Sequence, residues 1–335
     1  MPESMPAGGY LSDYLLFLYV VATLVLFALT AWRAERRRLA AVLAGIGCIA
    51  SVLLIGETYL RYLGNTPNDG LPTLTSRAWY LRHWKAEQNT HGVRGEDWED
   101  AAPGIGATGD ARTIVLGDDV VAGYGVADFD ECVVPLLGRL HPRLEVVGVG
   151  VPTWNTGQQL QWLAANAATL GAARVLLVYS ADDAVDLLPP EQQLDVQTLS
   201  EERSTVFNPA RSFVGDRLWF RSMMDDSPWW ADRVALRGEG TRLRQEERMR
   251  RIANVCARIG VPLDVAIVPW PGDGESERAH RSLALEMWRR AGARRVVDLG
   301  QRLDPTQRVS RWAPWPDEDA HAALAALLSE EFFRN

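Results

Sequence analysis

The sequence predicts an α/β domain with a five-stranded parallel sheet, arranged as a three-layer α/β/α sandwich and preceded by a two-helix transmembrane hairpin. Short apolar runs rich in β-branched residues alternate with helix-length segments in the C-terminal part of the chain. Such runs are typical of strands that are buried on both faces of a parallel sheet. A Gly-Asp-Asp turn directly follows the first run, and two long uncharged runs lie near the N-terminus. Together these observations indicate a membrane-attached α/β protein.

The first strand is predicted within 112–119, where the apolar run is Thr-Ile-Val-Leu. Further strands are predicted over 144–151, 173–181, 262–269 and 295–300, with helices near 131–141, 156–171, 241–259, 276–291 and 316–333. Residues 182–240 break this periodicity, so we expect an insertion of loops and short helices over one edge of the sheet. The α/β domain is therefore expected to span 112–335.

The two N-terminal apolar runs, 14–32 and 39–55, contain no charged residue, and the loop between them carries four arginines. Each run is about long enough to cross a bilayer core, and the positive-inside rule places the arginine loop in the cytoplasm. A cleaved signal peptide would carry its charge before the apolar run. A buried hairpin in a soluble protein is the other alternative. We expect a transmembrane hairpin over 1–56 in a bacterial inner membrane, with the N-terminus and the main domain in the periplasm.

Charge and cysteine content exclude some classes of function. The net charge of −8 argues against a nucleic-acid partner, which would need a basic surface. The three cysteines form no disulfide framework, and Cys256, on the apolar face of a predicted helix, is interpreted as a packed thiol. No cofactor is predicted.

Segment 57–111 is interpreted as a juxtamembrane connector. It holds three tryptophans among charged residues, and the insertion contains more. These side chains either pack onto the domain or meet lipid headgroups or a partner protein, because both environments favour amphipathic aromatic rings. We predict that other membrane protein subunits bind at five of them: Trp79, Trp84, Trp98, Trp229 and Trp230.

The stretch 112–126, RTIVLGDDVVAGYGV, resembles the first sequence block of the SGNH (GDSL-like) hydrolases. Two later stretches resemble the next blocks: VGVGVP at 147–152 is similar to N-x-G-x-P, and YSADD at 179–183 is similar to G-x-N-D. Residues 89–94, NTHGVR, resemble the N-x-x-G-x-R segment that precedes the first block in membrane-anchored relatives. The resemblance covers about 89–335 and implies a flavodoxin-like α/β fold.

In such hydrolases a serine attacks an ester carbonyl and a histidine acts as the base. Donors from the serine amide, a glycine amide and an asparagine side chain hold the oxyanion. Here the resemblance puts Asp119 at the serine position, Gly150 at the oxyanion glycine and Asp182 at the asparagine. A carboxylate at that last position would repel an oxyanion. Asp119 itself would need a base and an oxyanion hole to act as a nucleophile.

The last block, WAPWPDEDAH, departs furthest from the family pattern D-x-x-H-P-N-x-x-G-H. With Pro316 and His321 fixing the register, the catalytic aspartate and histidine positions are Trp312 and Trp315. An indole N–H only donates a hydrogen bond, so neither residue can act as a general base. A rival register pairs Glu318 with His321 but misplaces the proline. We expect His321 to be a helix-face histidine with a structural role.

The sequence therefore predicts a catalytically inactive protein that serves as a structural accessory subunit of a membrane complex. Two other classes of function stay open. Clustered carboxylates suit Ca²⁺ or Mg²⁺, and four lie at predicted strand ends: Asp118, Asp119, Asp182 and Asp183. Alternatively, Trp154, Trp312 and Trp315 stack on a glycan, as in a protein related to envelope polysaccharide esterases or acyltransferases.

Overall fold

The structure, a computed structural model, describes residues 22–58, 80–98, 111–152, 154–166, 169, 171–184, 239–269, 275–304, 306–310 and 313–334. The greater part of the predicted insertion, 182–240, lies outside these residues.

Five parallel strands form the central sheet in the order β2-β1-β3-β4-β5. Their bounds are β1 Ala111–Gly117, β2 Leu144–Gly150, β3 Ala172–Tyr179, β4 Leu263–Ile267 and β5 Arg295–Asp298. Each strand of the parallel sheet was predicted from the sequence, with ends that differ by a few residues. Because all five strands run in the same direction, their carboxyl ends share one edge, here called the carboxyl edge.

Helices cover both faces of this sheet. Their bounds are α3 Asp119–Ala122, α4 Val133–Leu140, α5 Thr156–Asn166, α6 Glu239–Arg258, α7 Glu275–Ala291 and α8 Glu318–Leu328. Alternate side chains of β1 enter different cores: Ile114 and Leu116 pack with α5, α6 and α7, whereas Val115 packs with α3, α4 and α8. This alternation produces the predicted three-layer sandwich.

A second, two-stranded antiparallel sheet was not predicted. It pairs β6 (Arg308–Ser310) with β7 (Ala313–Pro316), directly before α8. No element was predicted over 308–315, and the last helix was predicted to begin at Pro316. Asp317 instead caps α8 by accepting a hydrogen bond from Ala320 N, at 2.9 Å, so the helix begins at Glu318.

Two helices, α1 (22–33) and α2 (Arg37–Thr58), form an N-terminal hairpin. At the end of α1, Arg36 N donates to Ala31 O and Glu35 N to Trp32 O, while Glu35 has a φ of 59°. This is a Schellman motif in which Glu35 occupies the left-handed position usually held by glycine. Within the described residues, no helix has both the length and the apolar character needed to cross a membrane.

Candidate functional site

The first sequence block forms a sharp strand-to-helix turn at the carboxyl edge. Asp118 follows β1 and caps α3, because its side chain accepts a hydrogen bond from Val120 N at 3.2 Å. Asp119 is the first residue of α3 and is buried, and Gly123, whose φ is 63°, caps the C-terminus of this helix. The resemblance predicts a nucleophile on such a turn, and the structure places Asp119 on this turn, at the start of α3.

Gly150 ends β2 and lies against this turn. A Cβ atom there would lie 2.4 Å from Ala122 N and 2.8 Å from Asp118 O. No side chain fits in that space, so the glycine is required by the packing of β2 against α3. Its presence therefore does not by itself indicate an oxyanion hole.

Ser180 bridges two carboxyl groups across the carboxyl edge. Its hydroxyl donates to Asp118 Oδ2 at 2.9 Å and also lies within hydrogen-bond distance of Asp182 Oδ1. A hydroxyl has one proton and cannot donate to two ionised carboxylates at once. One of the two carboxyls must therefore carry a proton for both contacts to be favourable.

Burial explains why a carboxyl at this place keeps its proton. It raises the pKa of Asp118 to about 7, and the charge of Asp119 adds to the effect. Burial also raises the pKa of Asp182 well above its usual value, with further contributions from the charges of Asp118 and Asp119. The carboxyl edge is thus strongly acidic in composition but holds less negative charge than its aspartates suggest.

Asp183 is held differently from its neighbours. Its two oxygens accept hydrogen bonds from Ser180 N at 2.8 Å and from Gln159 Nε2 at 2.6 Å. Burial raises its pKa well above the usual value, and the charges of Asp118 and Asp182 act in the same direction. It therefore fixes the turn after β3 and does not project toward a substrate.

A buried polar network beneath this edge was missed in the sequence. Thr156 Oγ1 accepts from Gln245 Nε2 at 2.6 Å and donates to Asp183 O at 3.1 Å. The Tyr179 hydroxyl lies 3.2 Å from His280 Nε2. The sequence signal for this network was the presence of polar residues on the apolar faces of the predicted helices 156–171 and 241–259. Two of these residues, Gln159 and Gln245, are buried in the structure.

His321 lies in α8 and caps a different helix. Its Nδ1 accepts a hydrogen bond from Val133 N, at 3.2 Å, at the start of α4. Burial lowers its pKa to about 4, and the positive charge of Arg94 acts in the same direction. Its Nε2 is buried with no hydrogen-bond partner among the described residues, while Glu318 is exposed. The expected structural role agrees with this geometry, and the Glu318–His321 pairing does not.

Arg94 ties the connector to the loop that follows α3. Its Nη1 donates to the carbonyl oxygens of Gly123 and Val126, each at 2.9 Å, and its Nη2 donates to Ala127 O at 3.0 Å. Glu87 accepts from its Nε at 2.7 Å. The arginine of the N-x-x-G-x-R segment is thus a buried structural link, a role that the sequence did not reveal.

The predicted tryptophan interface needs a correction. Trp84 is 1% exposed and meets Tyr124 edge-on at 6.2 Å, so it belongs to the interior and is not available to a partner. Trp98 is half-buried and stacks on His91 at 4.1 Å. The remaining three predicted positions, Trp79, Trp229 and Trp230, lie outside the described residues.

The predicted glycan platform also loses one member. Trp154 is 6% exposed and packs in the core with α5 and α6, so it cannot stack on a sugar in the cleft. Trp312 and the side chain of Trp315 lie outside the described residues. Among the residues that the structure describes, no group of three His, Cys, Asp or Glu side chains is arranged to hold a metal ion.

Two of the three cysteines are packed thiols, as predicted for Cys256. Cys132 and Cys256 are buried, Cys48 is exposed, and all three are free. Burial raises the pKa of Cys132 and of Cys256 to about 12, so both remain protonated thiols near neutral pH.

No protein-family model matches the sequence, and no curated protein matches it. Among solved structures, the chain is similar in fold to TesA, at 13% identity over 65% of this chain and 96% of TesA, with a TM-score of 0.44. It is similar to the psychrotrophic esterase EstA from Pseudoalteromonas sp., at 13% identity over 67% and 97% of the two chains, TM-score 0.43. A member of the lipolytic protein G-D-S-L family from Veillonella parvula is 12% identical over 67% of this chain and 100% of its own chain, with a TM-score of 0.41.

Proposed function

We propose that this protein is a catalytically inactive, SGNH-hydrolase-like membrane protein and serves as an accessory subunit of a larger membrane complex. The observation that carries the proposal is the chemistry of the carboxyl edge. Buried Asp119 stands where the resemblance expects the nucleophilic serine, and Asp182 stands where it expects an oxyanion donor. The domain then provides binding surfaces outside the cytoplasm, and its α/β fold is retained as a scaffold.

The carboxyl edge is poorly suited to acyl transfer for three reasons. An oxyanion formed there would lie beside the Asp118–Ser180–Asp182 bridge, whose retained proton is already engaged between these groups and is not free to be donated to the oxyanion. Asp182 is already in contact with the Ser180 hydroxyl. His321 is neutral near pH 7 but uses Nδ1 to cap α4, so it is not placed to accept a proton from a nucleophile.

The packing of the N-terminal hairpin supports attachment to a bilayer. Among the described side chains of α1 and α2, the buried positions are held by small residues, Ala31, Ala40 and Gly47, and a Cβ atom at Gly47 would lie 3.8 Å from Leu24 Cβ on α1. Large apolar side chains point outward instead: Val25, Leu26, Phe27, Leu29 and Trp32 on α1, and Leu39, Val42, Ile46, Ile49, Val52 and Ile55 on α2. Small residues at the helix contact and large apolar residues outside are typical of helices packed within lipid. Residues 14–21 of the first apolar run lie outside the described part.

The partner is proposed to be another membrane subunit. The membrane attachment confines the domain to two dimensions and raises its effective concentration near such a subunit. Trp229 and Trp230 remain the predicted contact residues, because tryptophan is enriched among residues that dominate interface energies.

The test is a pull-down of the full chain from native membranes in mild detergent. We expect other membrane subunits to co-purify with the protein. Trp229→Ala combined with Trp230→Ala should release them, whereas Trp219→Ala in the same insertion should not. The proposal fails if the native extract contains only the monomer in its detergent micelle. It also fails if the double variant unfolds the domain, because the two tryptophans would then belong to its core.

A further inference from the structure

The Schellman motif at the end of α1 brings four arginines to one end of the hairpin. Arg33, Arg36, Arg37 and Arg38 lie within six residues of sequence, and all four are exposed. Glu35 is the only acidic residue among 33–38. We call residues 33–38 the arginine turn. It carries a net charge of +3, from four arginines and one glutamate, on an exposed surface.

The first turn of α2 increases the positive potential at this place. Arg37 and Arg38 begin α2, and no acidic residue lies in its first turn. The N-terminus of a helix already carries a partial positive charge, so cations are unfavourable there and anions are favourable. The carbonyl groups at the end of α1 carry a partial negative charge that opposes this positive potential. They offset it only partly, because the carbonyl oxygens of Ala31 and Trp32 already accept the Schellman hydrogen bonds. The arginine turn is therefore complementary to an anion.

Exposed apolar side chains flank the arginine turn on both sides. Trp32 is 63% exposed directly before it, and Leu39 is 45% exposed directly after it. Tryptophan is enriched at the level of lipid headgroups, where its ring contacts both apolar and polar material. An anion held here would thus lie at the boundary of an apolar phase, which is the position of a phospholipid phosphate.

We propose that the arginine turn binds the headgroups of anionic phospholipids. This inference rests on the membrane hairpin of the proposed function and specifies its lipid partner. It also agrees with the predicted orientation, because anionic lipids on the cytoplasmic leaflet attract basic segments next to a membrane helix. The binding chemistry is charge-assisted hydrogen bonding from guanidinium groups to phosphate oxygens.

The experiment measures which lipids the protein retains. The full chain, purified in an uncharged detergent, is mixed with equal amounts of phosphatidylglycerol and phosphatidylcholine, and bound lipids are counted by native mass spectrometry. We expect phosphatidylglycerol to be retained preferentially. A triple variant, Arg36→Gln, Arg37→Gln and Arg38→Gln, should reduce that preference by about fivefold per arginine, or on the order of 100-fold in total.

A matched control removes the same charge elsewhere. Arg242→Gln, Arg251→Gln and Arg258→Gln change three exposed arginines of α6 and should leave the lipid preference intact. Equal retention of both lipids, or the same loss in both triple variants, would overturn the inference. Displacement of the lipid by inorganic phosphate, compared with chloride at equal ionic strength, would also overturn it, because the site would then be one for free phosphate.

The failure of this inference can be distinguished from failure of the membrane hairpin. Flotation of the protein with phosphatidylcholine vesicles, without preference for phosphatidylglycerol, rejects only the headgroup site. A full chain that stays monodisperse without detergent and does not float with either kind of vesicle rejects the hairpin and the headgroup site together.

Discussion

His321 accepts a hydrogen bond from the backbone N–H of Val133, which lies 188 residues earlier in the chain, and thereby caps helix α4. This contact ties the last helix of the domain to the first long one. It also makes the histidine sensitive to acid, because Nδ1 can accept the bond only while the ring is neutral.

His321 is expected to make the protein less stable in acid. Its pKa is about 4 in the folded protein, lowered from 6.5. Between these values the unfolded chain binds a proton that the folded chain does not, so stability falls as the pH is lowered through this window. The loss is on the order of 3 kcal/mol. His321→Gln should abolish this acid-dependent loss of stability, because the glutamine amide oxygen does not titrate and can also accept a hydrogen bond from Val133 N. Denaturant unfolding from pH 7 to pH 4 measures the change.

Two further variants complete this test. His83→Gln, which changes a histidine outside the cap, should keep the acid-dependent loss. His321→Leu should destabilise the protein at pH 7 by about 1–3 kcal/mol, because the buried Val133 N–H then has no acceptor. An unchanged pH dependence in His321→Gln would reject the proposed cause.

The Asp118–Ser180–Asp182 bridge should act in the opposite direction. The folded state keeps a proton that the unfolded chain releases between the usual pKa of 3.8 and the raised value of about 7 for Asp118. This contribution to stability is therefore complete below pH 3.8 and is lost as the pH rises toward and through 7. Asp118→Asn or Asp182→Asn supplies a neutral group permanently, and each should raise stability at pH 8 in denaturant unfolding.

A double-mutant cycle separates one shared proton from two independent protons. If Ser180 links the two carboxyls around a single proton, either variant removes the pH dependence and the double variant changes little more. Additive effects would contradict the shared proton. Asp130→Asn, at an exposed position, serves as the control and should leave the pH dependence as it is.

The full chain in mild detergent should not hydrolyse short-chain aryl esters above the rate of a detergent blank. Asp119→Ser, alone or with Asp182→Asn, should not restore turnover, because a base is still missing and catalytic groups act as a unit. Asp119→Ala is the matched control. Esterase activity in the natural protein that Asp119→Ala abolishes would reject the inactive-enzyme hypothesis.

Replacing Arg94 should destabilise the domain strongly. Arg94→Ala leaves Glu87 without its ion-pair partner and leaves the carbonyls of Gly123, Val126 and Ala127 without this donor. We expect a loss of roughly 3–5 kcal/mol, measured by denaturant unfolding. Arg94→Lys should recover only part of it, because an ammonium group lacks the planar fork. Arg82→Ala, at an exposed position nearby, should change the free energy of unfolding only slightly. Equal losses of stability in Arg82→Ala and Arg94→Ala would contradict the structural role of Arg94.

Membrane topology can be tested with reporters. A reporter that is active only in the periplasm should be active when fused after Asn335 and silent when inserted into the arginine turn. The opposite pattern would place the arginine turn outside the cytoplasm and reverse the predicted orientation.

The sequence by itself determined the parallel sheet and the position of the turn that follows its first strand. Buried parallel strands are continuous apolar runs, so β1 to β5 could be located from local pattern alone. Asp119 could be placed because it follows β1 at a fixed spacing. The antiparallel pair β6–β7 was missed because strands of three and four residues give too short a pattern to be recognised as strands.

Only the tertiary structure decided which polar and aromatic residues were buried together. Trp84 looked like an interface residue because its neighbours in sequence are charged, yet it packs against Ala122 and Tyr124 from a distant segment. The roles of Arg94, Ser180 and His321 depend on partners 29, 62 and 188 residues away. Local periodicity reports which face of an element is buried. It does not report which distant group satisfies a buried donor or acceptor, because chain folding sets that pairing.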